Sequence, residues 1–157
     1  MKKDAHGPIE VKFKLLRDLS EEMLPVCATD GSVGLDLRAA LETPVLRIEP
    51  GERAAVPTGL AMEILEPGVA GFVFSRSGEG AKRGLTVAQG VGVIDPDYRG
   101  EIMVWLLNTS KEPREIERGQ RIAQLVFLPA LAAKVLPAGD LSDTRRGSGG
   151  FGHTGRH

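Results

Sequence analysis

Of 157 residues only one is cysteine, Cys27, which rules out an internal disulfide and a thiolate zinc cage. The sequence alone places Cys27 as a small buried hydrophobe in a reducing compartment. Net charge is close to absent as well: 20 Lys and Arg face 21 Asp and Glu, for a formal value of −1. There is thus no global basic field for nucleic acid, and an anionic ligand must be held by a local cluster. No apolar run approaches the ~20 residues that cross a bilayer. The opening MKKDAHGPIEVKFK has lysines but no apolar core behind them, so a signal peptide is not expected. These absences point to a cytoplasmic chain with neither membrane nor nucleic-acid partner, of a length suited to one domain.

What is plentiful is punctuation: 20 glycines and 10 prolines are spread along the chain. Between them lie short apolar runs. VKFKL (11–15) alternates apolar and charged residues, the period-2 mark of a half-buried strand. VLRIEP, GLAMEIL, GFVFS, LTVAQ, EIMVWLLN and RIAQLVFLP follow, separated by Gly, Pro, Asp or Asn turns. Only LSEEML is suited to a helical turn, with Ser20 as its N-cap. Short strands without crossover helices predict an all-β sandwich, jelly roll or barrel. The body is expected to span residues 1–138. From Gly139 the composition shifts to Gly, Ser, Asp and Arg, so residues 139–157 read as a flexible arm. That arm carries one aromatic, Phe151, which gains nothing until it stacks on a partner.

Three stretches carry candidate chemistry. In GVGVIDPDYRGEIMVWLLN (90–108), two apolar runs flank DPDYRG. A simple turn explains Asp95, Pro96 and Gly100, but less well a tyrosine and two carboxylates beside glycines. A carboxylate fixed at a hairpin mouth suits a general base for water. FSRSGEGAKRG (74–84) ends an apolar run with Arg76, Ser77 and Gly78. A guanidinium fork, a hydroxyl and freed backbone N–H groups suit phosphate oxygens; the alternative is a polar loop with solvated charges. In RGQRIAQLVF (118–127), Gln124 sits among apolar neighbours and is either satisfied by backbone or faces a ligand.

Taken in order, GSVGLDLRAA, SRSGEG, GVGVIDPDYRGE, RGQRIAQLVF and RGSGGFGHTG resemble the five motifs of the trimeric dUTPases (deoxyuridine 5′-triphosphate nucleotidohydrolases), from about Pro25 to Gly155. The resemblance implies a jelly-roll β-sandwich, a homotrimer with sites at subunit interfaces, and Mg²⁺-dependent cleavage of dUTP to dUMP and pyrophosphate. Such an activity limits uracil in DNA and supplies dUMP for thymidylate synthesis. It further implies Asp95 as the base that activates water for attack on the α-phosphorus, and Tyr98 as the ring beneath the deoxyribose. Arg76, Ser77 and Gly78 of a neighbouring subunit, with Gln124, match phosphate contacts. The hairpin from Gln89 through Val93 and Ile94 matches the reader of uracil, bordered by the backbone of Met103. Phe151 matches the aromatic that stacks on uracil, and Arg146 a contact to the terminal phosphates. Nineteen extended residues span at most ~60 Å, so the arm reaches a neighbouring subunit.

No direct protein ligand for the metal is implied; Asp36 matches an acid near its water shell or a structural residue. Glu79 departs from the apolar residue usual in the family, and would either weaken phosphate binding or point to solvent. His153 follows Phe151 where relatives carry a small residue, and is read as solvated. The related dCTP deaminases share the fold and a similar turn, but alignment places their catalytic glutamate at Trp105, which cannot activate water. A non-enzymatic nucleotide-binding trimer is the reading from another class.

Overall fold

The computed structural model describes residues 7–150. Among these residues there are eleven strands: β1 (Val11–Leu15), β2 (Leu35–Arg38), β3 (Val45–Ile48), β4 (Arg53–Pro57), β5 (Leu60–Ile64), β6 (Val69–Ser75), β7 (Leu85–Val87), β8 (Gly92–Ile94), β9 (Met103–Asn108), β10 (Arg114–Glu117) and β11 (Arg121–Pro129). All pairings are antiparallel. One sheet has the order β2-β11-β6-β8 and a second the order β4-β9-β7; β1-β5 and β10-β3 form two-stranded ribbons. The architecture is all-β and of the jelly-roll type.

The core lies where the sheets face each other. Leu37, Ile122 and Leu125 from the four-stranded sheet join Val56, Leu85 and Leu106 from the three-stranded one in a single cluster, and each is fully excluded from water. Burying side chains of this size stabilises by about 1.5–3 kcal/mol apiece. Alternation along β9 explains which face is which. Val104, Leu106 and Asn108 point inward, whereas Met103 and Trp105 point out. Asn108 is tolerated inside because its amide donates to the carbonyls of Ile48 and Glu112, and its carbonyl accepts from Ser110.

LSEEML forms the expected helical turn, a three-residue 3-10 turn at Glu21–Met23 with Ser20 at the N-cap position. Two finer expectations are corrected. The Ser20 side chain makes no capping bond. The turn closes instead through backbone, Met23 N–H to Ser20 O and Leu24 N–H to Glu21 O. Cys27 is exposed rather than buried. It makes an isolated antiparallel bridge to Leu35 of β2, an edge strand of its sheet.

Beyond Pro129 the described chain, 130–150, forms no strand or helix. Leu131, Val135, Leu136 and Leu141 stand exposed along it.

Candidate active site

The sequence DPDY folds as a tight turn because Pro96 presets the backbone at its second position. Tyr98 N–H donates to Asp95 O at 3.1 Å. Arg99 stitches the turn from outside, donating to Pro96 O at 2.6 Å and Tyr98 O at 3.1 Å. The hydroxyl end of the Tyr98 ring sits against Gly100: a Cβ there would come 2.4 Å from the hydroxyl oxygen and 2.6 Å from Cζ. Its hydroxyl donates to Glu101 O at 3.0 Å. Glycine at position 100 is therefore a steric requirement of the tyrosine.

This turn closes one end of a cavity of about 240 Å³ whose wall includes Gln89, Val93, Ile94, Asp95, Tyr98 and Met103. The structure thus brings together six of the residues singled out from sequence. Asp95 is exposed, and its carboxylate makes no hydrogen bond to another described side chain or backbone group. Trp105 lines the same cavity, so no carboxylate occupies the position that the deaminase alignment assigns to a catalytic glutamate.

Glu101 was not anticipated. It accepts from Gly59 N–H at 2.7 Å and pairs with Arg17, whose other nitrogen donates to Ala40 O at 3.1 Å. The residue after the turn thereby anchors it to the end of β1 and to the β4–β5 connection. Its only sequence signal was a charge directly before an apolar strand.

A second cluster forms elsewhere. Arg76 follows β6 and donates from Nε to Asp36 Oδ1 at 2.7 Å. Arg121 donates to the other oxygen, Oδ2, at 3.0 Å, so one carboxylate holds two guanidinium groups. Gln124 pairs with Asp36 across β2–β11 and with Phe74 across β11–β6. Its amide nitrogen donates to Ser75 O at 3.1 Å. Its Oε1 occupies the space a side chain on Gly34 would need, 2.5 Å from an ideal Cβ. Neither Arg121 nor Gly34 was singled out individually from sequence, although Gly34 lies in the first motif. Ser77 and Gly78 are exposed at the entry to a π-helical turn, Gly78–Lys82. Glu79 in that turn is buried and paired with Arg83 at 3.1 Å, so the expectation of a solvent-facing carboxylate does not hold.

The two clusters sit at opposite ends of the same strand pair. Ile94 pairs with Gly71, so Asp95 leaves the sheet beside the start of β6, whereas Arg76 follows its end. Six strand positions, Ala70 to Arg76, separate them, about 20 Å at ~3.3 Å per residue.

Arg146 lies in an exposed turn in which its Nε donates to Gly149 O at 2.9 Å and Gly147 N–H donates to Thr144 O at 3.0 Å. Phe151 and His153 lie outside the described residues. Among the described residues no group of three or more His, Cys, Asp or Glu side chains is placed to hold a metal ion. No described helix is long and apolar enough to cross a membrane.

Comparison with known proteins decides the family. The dUTPase family model matches residues 21–155. The chain belongs to the dUTPase family. A deoxyuridine 5′-triphosphate nucleotidohydrolase of Desulfitobacterium hafniense is 50% identical over 147 residues, covering 94% of this chain and 97% of that protein. One from Pasteurella multocida is 46% identical over 148 residues, with the same coverage. Among solved structures, a mutant dUTPase of Staphylococcus bacteriophage 80alpha with dUpNHpp superposes with a TM-score of 0.79 at 26% identity, covering 93% of this chain and 98% of that one. Both the cavity and the arginine cluster fall within the stretch matched by the dUTPase family model.

Proposed function

We propose that this chain hydrolyses dUTP to dUMP and pyrophosphate, at sites each built from more than one copy of the chain. The observation that carries the reading is the cavity closed by the DPDY turn, with an unengaged carboxylate at its mouth and a tyrosine ring fixed beside it. The names of its relatives support the substrate.

In this reading uracil enters the cavity against the hairpin from Gln89 to Ile94. Main-chain groups there, and at Met103, meet the N3–H donor and O4 acceptor of uracil. Cytosine presents the reverse pattern and leaves buried groups unpaired, at ~1–3 kcal/mol each. Tyr98 packs under the deoxyribose, where a 2′-hydroxyl has no room. Asp95 orients a water and takes its proton as the oxygen attacks the α-phosphorus; the bond from that phosphorus to the bridging oxygen breaks, and pyrophosphate leaves.

The phosphates need cationic and hydrogen-bonding partners, and the turn's own Arg99 is engaged with the carbonyls of Pro96 and Tyr98. The Arg76 guanidinium, with Ser77, Gly78 and Gln124, meets them from a neighbouring copy, since ~20 Å separates these residues from Asp95 within one chain. Apolar side chains exposed in the monomer favour such an assembly: Met103 and Trp105 on the outer face of β9, and Leu131, Val135, Leu136 and Leu141 beyond β11. A closed homotrimer accommodates three equivalent pairs of half-sites. Residues 139–157 then act as an arm distinct from the body, with Arg146 on the terminal phosphates and Phe151 on the base. Closure excludes water other than the nucleophile.

Mg²⁺ would neutralise the triphosphate and orient its oxygens while held mainly by phosphate and water. The donor set fits that role and not a protein cage. Both Asp36 oxygens already accept from arginines, which leaves lone pairs for a metal-bound water but no bare carboxylate.

The test is a product assay on purified protein with Mg²⁺, using dUTP and dCTP separately. Pyrophosphate from dUTP alone is expected. Ammonia from dCTP would make the chain a deaminase, and dUTP binding without either product would leave only a binding protein.

A further inference from the structure

Glu79 places a carboxylate inside the turn proposed to receive phosphate oxygens, where like charge should repel the ligand. The side chain is only 12% exposed and, among the described residues, has a single cationic partner, Arg83, four residues on. Arg83 Nη1 lies 3.1 Å from one carboxylate oxygen and 3.3 Å from the other. Its Nη2 donates to Glu115 O on β10 at 3.3 Å, and its own carbonyl accepts from Arg114 Nε at 2.8 Å. The pair is thus pinned to β10 from both side chain and backbone.

The turn needs such a brace. π-helical geometry is rare and poorly self-supporting, and Gly78 and Gly80 are weak helix formers. Backbone bonds flank it, from Gly80 N–H to Arg76 O at 2.8 Å and from Gly84 N–H to Gly80 O at 3.2 Å. Meanwhile a Cβ at Gly78 would meet nothing within 4 Å, so that backbone is open to a ligand. The first of those bonds ends on Arg76 itself, which couples the brace to the proposed phosphate arginine.

We infer that the Glu79–Arg83 pair is a positioning device for residues 76–78, in which Arg83 also cancels the carboxylate that would otherwise oppose a polyphosphate. The inference rests on the proposal that residues 76–78 bind phosphate. It predicts an asymmetry. Losing Arg83 leaves a buried, unpaired carboxylate facing the ligand; losing the Glu79 charge loosens the turn but leaves it more cationic.

The experiment compares E79Q, R83Q and E79Q/R83Q for dUTP turnover, and for inhibition by inorganic pyrophosphate and by dUMP, alongside thermal melting. R83Q is expected to raise KM for dUTP about tenfold, E79Q about threefold, and the double variant to return close to E79Q. kcat should hold within about twofold, pyrophosphate inhibition should weaken in step with KM, and dUMP inhibition should stay unchanged. A purely structural brace would lower the melting temperature of both single variants while leaving KM alone, or would weaken pyrophosphate and dUMP equally; either result overturns the inference. Should R83Q fail to fold, R83K keeps the charge and loses the two-oxygen contact. A rise in KM of about threefold with unchanged dUMP inhibition supports the device, and no change overturns it. R76Q serves as the control for the underlying reading. If it leaves pyrophosphate binding, read by calorimetric titration, at the wild-type level, the phosphate assignment of residues 76–78 fails, whatever the pair does.

Discussion

The two ends of the β6–β8 pair are built on different physical principles. At the Asp95 end, shape dominates: a proline-set turn, a glycine that makes room for a ring, and a carboxylate left without a partner. At the Arg76 end, charge dominates: one carboxylate holding two guanidinium groups, a glutamine tied to backbone, and a second ion pair in the adjoining turn. The first half is suited to recognising a flat heterocycle and activating water, the second to holding an anion. A strand fixes the distance between them, so neither half moves to meet the other within one chain. That separation is the reason the proposed site is drawn from more than one copy.

The sharpest way to break the comparison is to remove the unpartnered carboxylate. D95N should cut kcat for dUTP by about 10²–10⁴-fold while a nonhydrolysable dUTP analogue binds within a few-fold of wild type. Rapid-quench turnover and calorimetric titration read the two quantities. A loss of binding equal to the loss of turnover would move Asp95 from base to ligand contact. The next test separates the halves. D95N and R76Q should each be nearly inactive, yet copies unfolded and refolded together should regain activity at about one site in four if they mix at random. No recovery would mean that both residues serve a site from the same copy.

The sequence was informative in proportion to how local the physics is. RIAQLVFLP coincides with β11 and VKFKL with β1, because an uninterrupted apolar or alternating run needs nothing distant to define it. β4 (RAAVP) and β10 (REIE) were not anticipated. The first is small and ends in proline, while the second buries one side chain, Ile116, and owes its pairing to β3. The same distinction holds at the site. Asp95 and Tyr98 fall in one contiguous motif, Gln89 directly precedes it, and all three share one cavity. Arg121 and Glu101 act through partners 85 and 84 residues away, a relation no local pattern encodes. Glu79 was an anomaly in sequence, because its environment depends on Arg83 and β10.

A smaller effect is expected where shape is tested directly. G100A would drive a methyl into the Tyr98 ring, which already lies within 2.4–2.6 Å of that position. The ring must tilt, and the space that excludes a ribose 2′-hydroxyl opens. The ratio of kcat/KM for dUTP over UTP should fall about tenfold, mostly through increased UTP turnover. Y98F, which loses only the bond to Glu101 O, should change that ratio by less than about threefold. Equal effects from the two variants would show that the hydroxyl, not the ring, sets the discrimination.

The smallest expected effect probes the other half by the same steric logic. A methyl at position 34 in G34A would sit 2.5 Å from Gln124 Oε1. The amide must swing, and its bond to Ser75 O at 3.1 Å is lost or lengthened. If Gln124 only satisfies the backbone, the change costs about 1 kcal/mol of stability and leaves kinetics intact. If it also meets phosphate, KM for dUTP should rise about three- to fivefold with kcat nearly constant, and Q124A should reproduce that rise. Measuring both variants against dUTP and dUMP decides the matter, since a phosphate contact weakens the triphosphate more than the monophosphate. The arginine end tolerates such a shift better than the Asp95 end tolerates G100A. Charge falls off gradually with distance, whereas a ring and a methyl cannot share the same space.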